Sequence, residues 1–95
     1  MPAPLELSDR VRPSEDLSRA RIDGEIALFS ASRGAYFGLG SPGSRVFELL
    51  DGRRTIFDIC ATLVIEFQVE ARPCADDVLA FLADLERRGL LIREV

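Results

Sequence analysis

The chain has 95 residues, enough for one small domain, and a formal net charge of −4 from 16 acidic and 12 basic residues. It has no histidine, and every basic residue is an arginine, so lysine is absent as well. Serine–histidine and cysteine–histidine dyads, a Schiff-base lysine and histidine-containing zinc sites are therefore excluded. We predict a protein that binds a partner, catalyses no reaction and uses no metal or cofactor.

The two cysteines and the N-terminus indicate the compartment. Cys60 and Cys74 lack a CxxC spacing, and we expect buried thiols rather than a functional pair. The residues after Met1 contain no apolar signal-peptide core, and no apolar run reaches the roughly 18 residues of a membrane span. A cytoplasmic protein without a membrane partner is expected.

A flexible arm is predicted for residues 1–16, because three prolines among charged residues remove ladder donors and discourage a helix. We expect Leu5, Leu7 and Val11 of this arm to touch the body of the protein. Residues 17–95 are predicted to form the single domain.

Three antiparallel strands are predicted next. Residues 17–22 alternate between apolar and polar, and an Asp-Gly pair then favours a two-residue type I′ turn into a second strand at residues 25–29. A longer turn leads to a third strand, Ala35 to Leu39. The third strand should lie at the edge of the sheet, where its free N–H and C=O groups can accept a strand from another chain.

Alternation divides the side chains of the third strand between two faces. Ala35, Phe37 and Leu39 share one face, and Tyr36 and Gly38 share the other. We expect Phe37 to be a core residue, whereas Tyr36 is equally consistent with the core and with a contact to a partner.

Two helices follow the sheet. The first is predicted at about residues 42–51, with Ser41 as its N-cap and Gly52 just after its end. The second begins at Thr55, and Asp58 supplies the acid of a capping box. Its apolar stripe consists of Ile56, Ile59, Cys60, Leu63, Val64 and Phe67. Phe57 and Ile65 are expected to widen this buried face.

The third helix is predicted to begin at Pro73 and to end before Gly89, with Asp76 and Asp77 in its first turn. Leu79 and Leu82 are expected in the core. An apolar tail, Leu90–Ile92, should pack back on the body.

A helix-turn-helix regulator is one alternative, because two helices and a turn can place the second helix in the major groove of DNA. The charge of the third helix argues against it, because residues 76–88 contain only two arginines and four acids, Asp76, Asp77, Asp84 and Glu86. Because basic residues supply most of the affinity for a polyanion, we expect no nucleic-acid partner.

The ordered set of motifs Gly34–Leu39, Val46–Thr55, Asp77–Leu82 and Arg88–Leu91 resembles the PqqD-like family. Its members are recognition domains for the precursors of ribosomally made, modified peptides. The resemblance implies an α+β, winged helix-turn-helix-like fold, with a three-stranded antiparallel sheet followed by three helices. The motifs are more similar to the stand-alone recognition proteins of lasso-peptide pathways than to the pyrroloquinoline quinone chaperone.

The same resemblance implies that a leader segment binds as an added strand on the third strand, beside the third helix. Carried onto this sequence, the peptide-binding residues are Ala35, Tyr36, Phe37, Gly38, Leu39, Asp77, Val78, Phe81, Asp84, Leu85 and Arg88. Val78, Phe81 and Leu85 would form an apolar wall, with Asp77, Asp84 and Arg88 as rim charges. The protein would deliver the leader to a leader peptidase, with a cyclase as a possible further partner. Alternatives are a peptide chaperone for a radical enzyme and a structural subunit of a larger modification enzyme.

Overall fold

The computed structural model describes residues 3–94 of the chain. The elements run in the order β1 (Arg10–Pro13), β2 (Leu17–Ile22), β3 (Glu25–Ser30), β4 (Ala35–Leu39), α1 (Gly43–Glu48), α2 (Ile56–Phe67), α3 (Ala71–Arg87) and β5 (Leu91–Glu94). The predicted three-stranded antiparallel sheet followed by helices is confirmed, with the strand order β2-β3-β4. No helix between residues 3 and 94 is long and apolar enough to cross a membrane.

The β2–β3 hairpin turns at Asp23 and Gly24, whose φ values of 52° and 81° are both positive as a type I′ turn requires. The adjoining residues Ile22 and Glu25 are partners in the register. The second turn, residues 31–34, leads into β4, which within residues 3–94 pairs with β3 alone. The predicted edge position of β4 is therefore confirmed.

A second, two-stranded ribbon pairs β1 with β5. The sequence predicted no strand within residues 1–16; the strand is short, ends in Pro13 and has its partner at the far end of the chain. The expected contacts of the segment are found, since Leu5 and Val11 are buried and Leu7 packs against the core. The division of the chain at residue 16 stays a prediction.

The start of α1 differs from the prediction. The N-cap is Pro42 and makes no side-chain cap hydrogen bond, whereas Ser41 lies outside the helix and its N–H donates to the Glu25 carboxylate at 3.2 Å. The helix also ends earlier, at Glu48. Gly52 has a positive φ of 75°, but its N–H donates to the Val11 carbonyl, so it belongs to the connection to α2 rather than to the end of α1.

The capping box of α2 is confirmed: the Thr55 hydroxyl accepts from the Asp58 N–H at 3.1 Å, and the Asp58 carboxylate accepts from the Thr55 N–H at 3.0 Å. The expected burial of Phe57 and Ile65 is wrong, because these side chains are 60% and 77% exposed. They lie on the side of α2 that faces away from the core. The stripe of α2 is narrower than the sequence suggested, and Phe67 at its end is also exposed.

The start of α3 is two residues earlier than predicted, at Ala71, with Glu70 as N-cap. Pro73 occupies the third helical position, where a missing N–H is harmless because the first four N–H groups of a helix have no partner within it. Asp76 and Asp77 therefore lie beyond the first turn. Leu82 is buried as expected, while Leu79 is only partly buried, and the tail after Gly89 packs back as β5.

Ser44 ties the end of the sheet to α1. Its hydroxyl accepts from the Ile26 N–H at 2.8 Å and donates to the Leu39 carbonyl at 2.6 Å, thus bridging two residues that are partners in the β3–β4 register. The side chain is only 4% exposed, so water cannot easily replace it.

We expect Ser44→Ala to lower the free energy of unfolding by about 2 kcal/mol, because a buried donor and a buried acceptor lose their partner together. Urea denaturation measures the change. Ser41→Ala, at an exposed serine three residues away, is the matched control and should be near neutral. Equal stability of Ser44→Ala and the wild type would contradict this role for the hydroxyl.

Candidate functional site

The backbone groups of β3 alternate between its two neighbours. A two-residue type I′ turn makes Ile22 and Glu25 a hydrogen-bonded pair, and from there bonded and non-bonded pairs alternate along an antiparallel ladder. Ile26, Leu28 and Ser30 therefore direct their N–H and C=O groups away from β2, toward β4. The Ile26 N–H confirms this direction, since it donates to the Ser44 hydroxyl, which in turn donates to the Leu39 carbonyl of β4.

The same alternation identifies the free groups of β4. Ala35, Phe37 and Leu39 are the partners of the β3 residues that face β4, so their backbone groups point inward to the sheet. Tyr36 and Gly38 consequently direct their N–H and C=O groups to the outer side of β4, where no strand pairs among residues 3–94. The edge offers two donors and two acceptors in a row.

The side chains of β4 resolve the question that the sequence left open. Leu39 is buried and Phe37 is half-buried against the core. Tyr36 is 79% exposed and leans on Phe29 of β3, with ring centroids 4.8 Å apart and an interplanar angle of 48°. Gly38 lies on the same outer face as Tyr36, and a Cβ added there would meet nothing within 4 Å.

Helix α3 touches the regions that flank β4 in the chain. After the strand, the Phe81 ring packs on Gly43 so closely that a Cβ there would lie 3.1 Å from the ring. Before the strand, the Arg33 guanidinium lies against Gly89, just after the end of α3. These two contacts, one before and one after β4 in the chain, place α3 next to the open edge of β4.

An apolar cavity of about 750 Å³ lies where β4 ends. Three segments meet there: the connection to α1, the end of α2 and the first half of α3. The lining residues are Gly40, Ser41, Pro42, Gly43, Val46, Leu63, Phe67, Val69, Pro73, Cys74, Asp77, Val78 and Phe81. Asp77 supplies a carboxylate to walls that are otherwise mostly apolar.

The predicted α3 residues fall into three groups. Asp77, Val78 and Phe81 line the cavity together. Asp84 and Arg88 lie further along the helix and pair with each other at 3.1 Å. Leu85 is only 2% exposed and belongs to the core, so it contributes almost no surface to a wall.

Sequence reasoning missed the contribution of α2 and of the β4–α1 connection to the cavity. The periodicity of α2 predicts that Phe67 is buried and indicates no role for Val69, yet both are exposed at the cavity. The available signal for this part of the cavity was the pair Phe67 and Val69, two apolar residues that follow Leu63, the last buried residue of α2. No local pattern marks Gly43, because its role depends on the Phe81 ring of α3.

The cysteines are free and buried, as expected. Burial raises the pKa of the Cys60 thiol to about 11, and the neighbouring Cys74 adds to the effect. A thiol with a raised pKa is a poor nucleophile at neutral pH. Cys74 also lines the cavity, where it acts as a small apolar residue.

Asp16 fixes the turn that begins β4. Its carboxylate accepts from the hydroxyls of Ser30 at 3.0 Å and Ser32 at 2.5 Å. These hydrogen bonds, that of Ser32 first, hold the pKa of the Asp16 carboxyl below its ordinary value of 3.8. The connection between β1 and β2 is thereby joined to the β3–β4 turn.

The lowered pKa of Asp16 predicts that the stability of the fold depends on pH in the acid range. A carboxylate whose pKa is lower in the folded state stabilises the fold above its unfolded pKa, and this stabilisation is lost as the pH falls through the folded value. We expect Asp16→Asn to be less stable than the wild type at pH 7, and the difference in stability to begin to shrink as the pH falls below about 3.8. Thermal melts from pH 7 to pH 3 measure the difference. A gap that stays constant over this range would contradict the assignment.

The sheet with one open edge, flanked by a helix and an apolar cavity, has the fold of precursor-recognition elements. It is similar to the solution NMR structure of the PqqD truncation of Methylobacterium extorquens PqqCD, described as a stand-alone recognition element for ribosomally synthesized and post-translationally modified peptides (RiPPs). The TM-score is 0.79 at 23% identity, over 94% of this chain and 95% of that chain.

Two solved relatives contain leader peptides. TbiB1 in complex with the TbiA(beta) leader peptide is 31% identical, with a TM-score of 0.79 over 84% of this chain and 93% of that chain. A lasso peptide synthetase B1 complexed with the leader peptide has the same TM-score at 22% identity, over 87% of this chain and 98% of that chain.

A match to the family model for coenzyme PQQ synthesis protein D (PqqD) covers residues 25–91. The chain belongs to the PqqD family, as the motifs of the sequence indicated. A curated relative, the PqqA binding protein of Gluconobacter oxydans (strain 621H), is 39% identical over 46 residues. That match spans about half of each protein, 48% in both cases.

Proposed function

We propose that this protein binds the leader segment of a ribosomally made precursor peptide as a fourth strand on β4. The observation that carries the proposal is the pair of outward-facing residues Tyr36 and Gly38, whose backbone groups have no strand partner on the open side of β4 within residues 3–94. An extended peptide can hydrogen-bond to both residues and lengthen the sheet. The two solved relatives that contain leader peptides support this proposal.

The position of α3 supports a role for side chains in selecting the peptide. Side chains of an added strand alternate between the two faces of the sheet. Those on the inner face continue the side of Phe37 and point toward α3, and those near the end of β4 come close to the cavity. Phe81 is partly buried and offers most of the apolar surface there, while Val78, which is 5% exposed, lies at the base of the cavity, so aliphatic or aromatic leader residues fit best.

The charges of α3 have a secondary role in this proposal. Asp77 lies at the cavity, and Asp84 and Arg88 lie at the rim as an ion pair. Rim charges mainly tune association rate and selectivity. The DNA-binding alternative has little support, because Asp84 also pairs with Arg87 at 2.9 Å and thus offsets the positive charge at the end of α3.

The bound leader is then presented to a processing enzyme, which we propose is a leader peptidase of a lasso-peptide pathway, with a cyclase acting later. The similarity to a lasso peptide synthetase B1 complexed with the leader peptide favours this pathway, as do the sequence motifs. A chaperone role in pyrroloquinoline quinone synthesis is the second candidate, favoured by the partial match to a PqqA binding protein.

Fluorescence anisotropy tests the proposal with labelled peptides: the TbiA(beta) leader, PqqA, and the leader of any short precursor gene found next to the gene for this chain. Each peptide is paired with a scrambled version as its control. We expect saturable binding of at least one leader and none of its scrambled version, and the identity of that leader distinguishes the lasso pathway from the quinone pathway. If every leader bound no better than its scrambled version, the proposal would be wrong.

A further inference from the structure

The sheet has a second face that the proposed leader site does not use. Ile26, Leu28 and Ser30 of β3 are all buried, so the alternate residues of β3 point outward to solvent. Register partners on β2 and β4 share this direction. The outer face is formed mainly by Ser18, Ala20, Ile22, Ala27, Phe29 and Tyr36.

This outer face carries almost no charge. Its rows are Ser18–Phe29–Tyr36 and Ala20–Ala27–Gly38, and a third row begins with Ile22, which is 61% exposed. The charged side chains of β2, Arg19 and Arg21, belong to the opposite face, where they contact Phe47 and Glu48.

The acid of the third row, Glu25, is turned to the rim of the face. Its carboxylate accepts from the Ser41 N–H at 3.2 Å. Residues along an antiparallel strand normally alternate, so that the face in contact with solvent is polar. An exposed apolar surface usually marks an interaction site. The outer face therefore has the composition of an interface, although the chain as a whole has a net charge of −4.

The size of the face limits its partner. Three strands of five to six residues present roughly 250 Å² to solvent, whereas a stable pairwise interface buries roughly 800 Å² on each partner. A lasting dimer of two such faces is therefore poorly supported by area. A transient partner fits better, particularly one that also touches something next to the face.

The proposed leader site is next to it. Tyr36 and Gly38 belong to both surfaces, since their side-chain positions lie on the outer face and their backbone groups form the open edge. A leader strand added to β4 would widen the outer face by a fourth strand and lengthen each row by one side chain. A partner seated there would contact the protein and the bound leader at once.

We propose that the outer face of the β2–β3–β4 sheet is the docking surface for the enzyme that processes the leader. That enzyme contacts the face with an uncharged, apolar surface of its own. The inference rests on the proposed leader-binding function and adds the place of hand-over. Because the leader completes the docking surface, the enzyme binds the loaded protein more tightly than the free protein.

The experiment uses the full chain, the leader that binds it, and a leader peptidase from the pathway of that leader, immobilised for surface plasmon resonance. Ala20→Arg places a charge on the part of the outer face that β2 forms, two strands away from the open edge. Ala61→Arg is the matched control at another exposed alanine, on α2 beside the exposed Phe57 and Ile65. Ile22→Thr removes apolar surface while keeping a β-branched residue in the strand.

We expect the wild-type complex to bind the peptidase in a leader-dependent way, and Ala20→Arg to weaken this binding by about tenfold or more, because a charge is buried without a partner. Ile22→Thr should weaken it by a smaller factor, and Ala61→Arg should leave it unchanged. Leader affinity, measured separately by anisotropy, should be the same in all three variants and the wild type.

Several results would overturn the inference. They are wild-type peptidase binding that is absent or independent of the leader, an unchanged affinity in Ala20→Arg, and an equal loss in Ala61→Arg. Light scattering provides another: a wild-type dimer that Ala20→Arg dissociates would assign the face to a second copy of the chain. Loss of leader binding by the wild type would instead refute the proposed function, so the two failures are distinguishable.

Discussion

Replacing Gly38 by proline is expected to weaken leader binding by at least about 2 kcal/mol, roughly 30-fold, while the domain stays folded. Proline has no N–H, and its ring occupies the side from which the added strand approaches. The Gly38 N–H faces solvent in the free protein, and an edge position of this kind tolerates proline. Anisotropy with the labelled leader measures the affinity, and circular dichroism checks the fold.

Gly38→Ala is the matched control for this change. It keeps the N–H and adds a Cβ into open space, so leader affinity should stay close to that of the wild type. A proline at Phe37 is a different experiment, because the Phe37 N–H points to β3 and its loss breaks the ladder of the folded protein. Wild-type leader affinity in a folded Gly38→Pro variant would contradict strand addition on β4.

Phe47→Ala is expected to lower the free energy of unfolding by about 3–5 kcal/mol, a large part of the roughly 5–15 kcal/mol typical of a small domain. Phe47 is 0% exposed and lies between the core and the Arg19 guanidinium, which sits 4.9 Å from the ring centroid. Removal of the ring leaves a cavity under α1. Urea denaturation monitored by circular dichroism measures the loss.

The same substitution at Phe57 provides the comparison. Phe57 is 60% exposed, so Phe57→Ala should change the free energy of unfolding by no more than about 0.5 kcal/mol. Similar losses at the two positions would mean that burial does not determine the effect. The core role assigned to Phe47 would then be wrong.

The elements that sequence predicted best are those with local signals. Asp23 and Gly24 determine the first hairpin through their backbone conformation, and Thr55 and Asp58 define the start of α2 through two reciprocal hydrogen bonds. β1 was missed for the opposite reason. Its partner β5 lies at the other end of the chain, and four residues ending in Pro13 carry little pattern of their own.

The candidate site was predictable only in part. The edge position of β4 followed from the order of the strands, but the choice of Tyr36 and Gly38 as the outward-facing residues depends on the register across the second turn, which the sequence leaves open. The cavity requires three segments to meet, so residues such as Phe67 and Gly43 have no recognisable signal before the chain folds. The family resemblance implied a wall position for Leu85, which instead lies in the core.

Amide hydrogen exchange followed by NMR, with and without the leader, tests the central claim most directly. Strand addition on β4 predicts that the amides of Tyr36 and Gly38 become strongly protected when the leader binds, while Phe37, already bonded to β3, changes little. The amides of Arg19 and Arg21 on the opposite edge of the sheet should stay as they are. Protection at Arg19 and Arg21 instead, or unchanged exchange at Tyr36 and Gly38 in the saturated complex, would contradict the account.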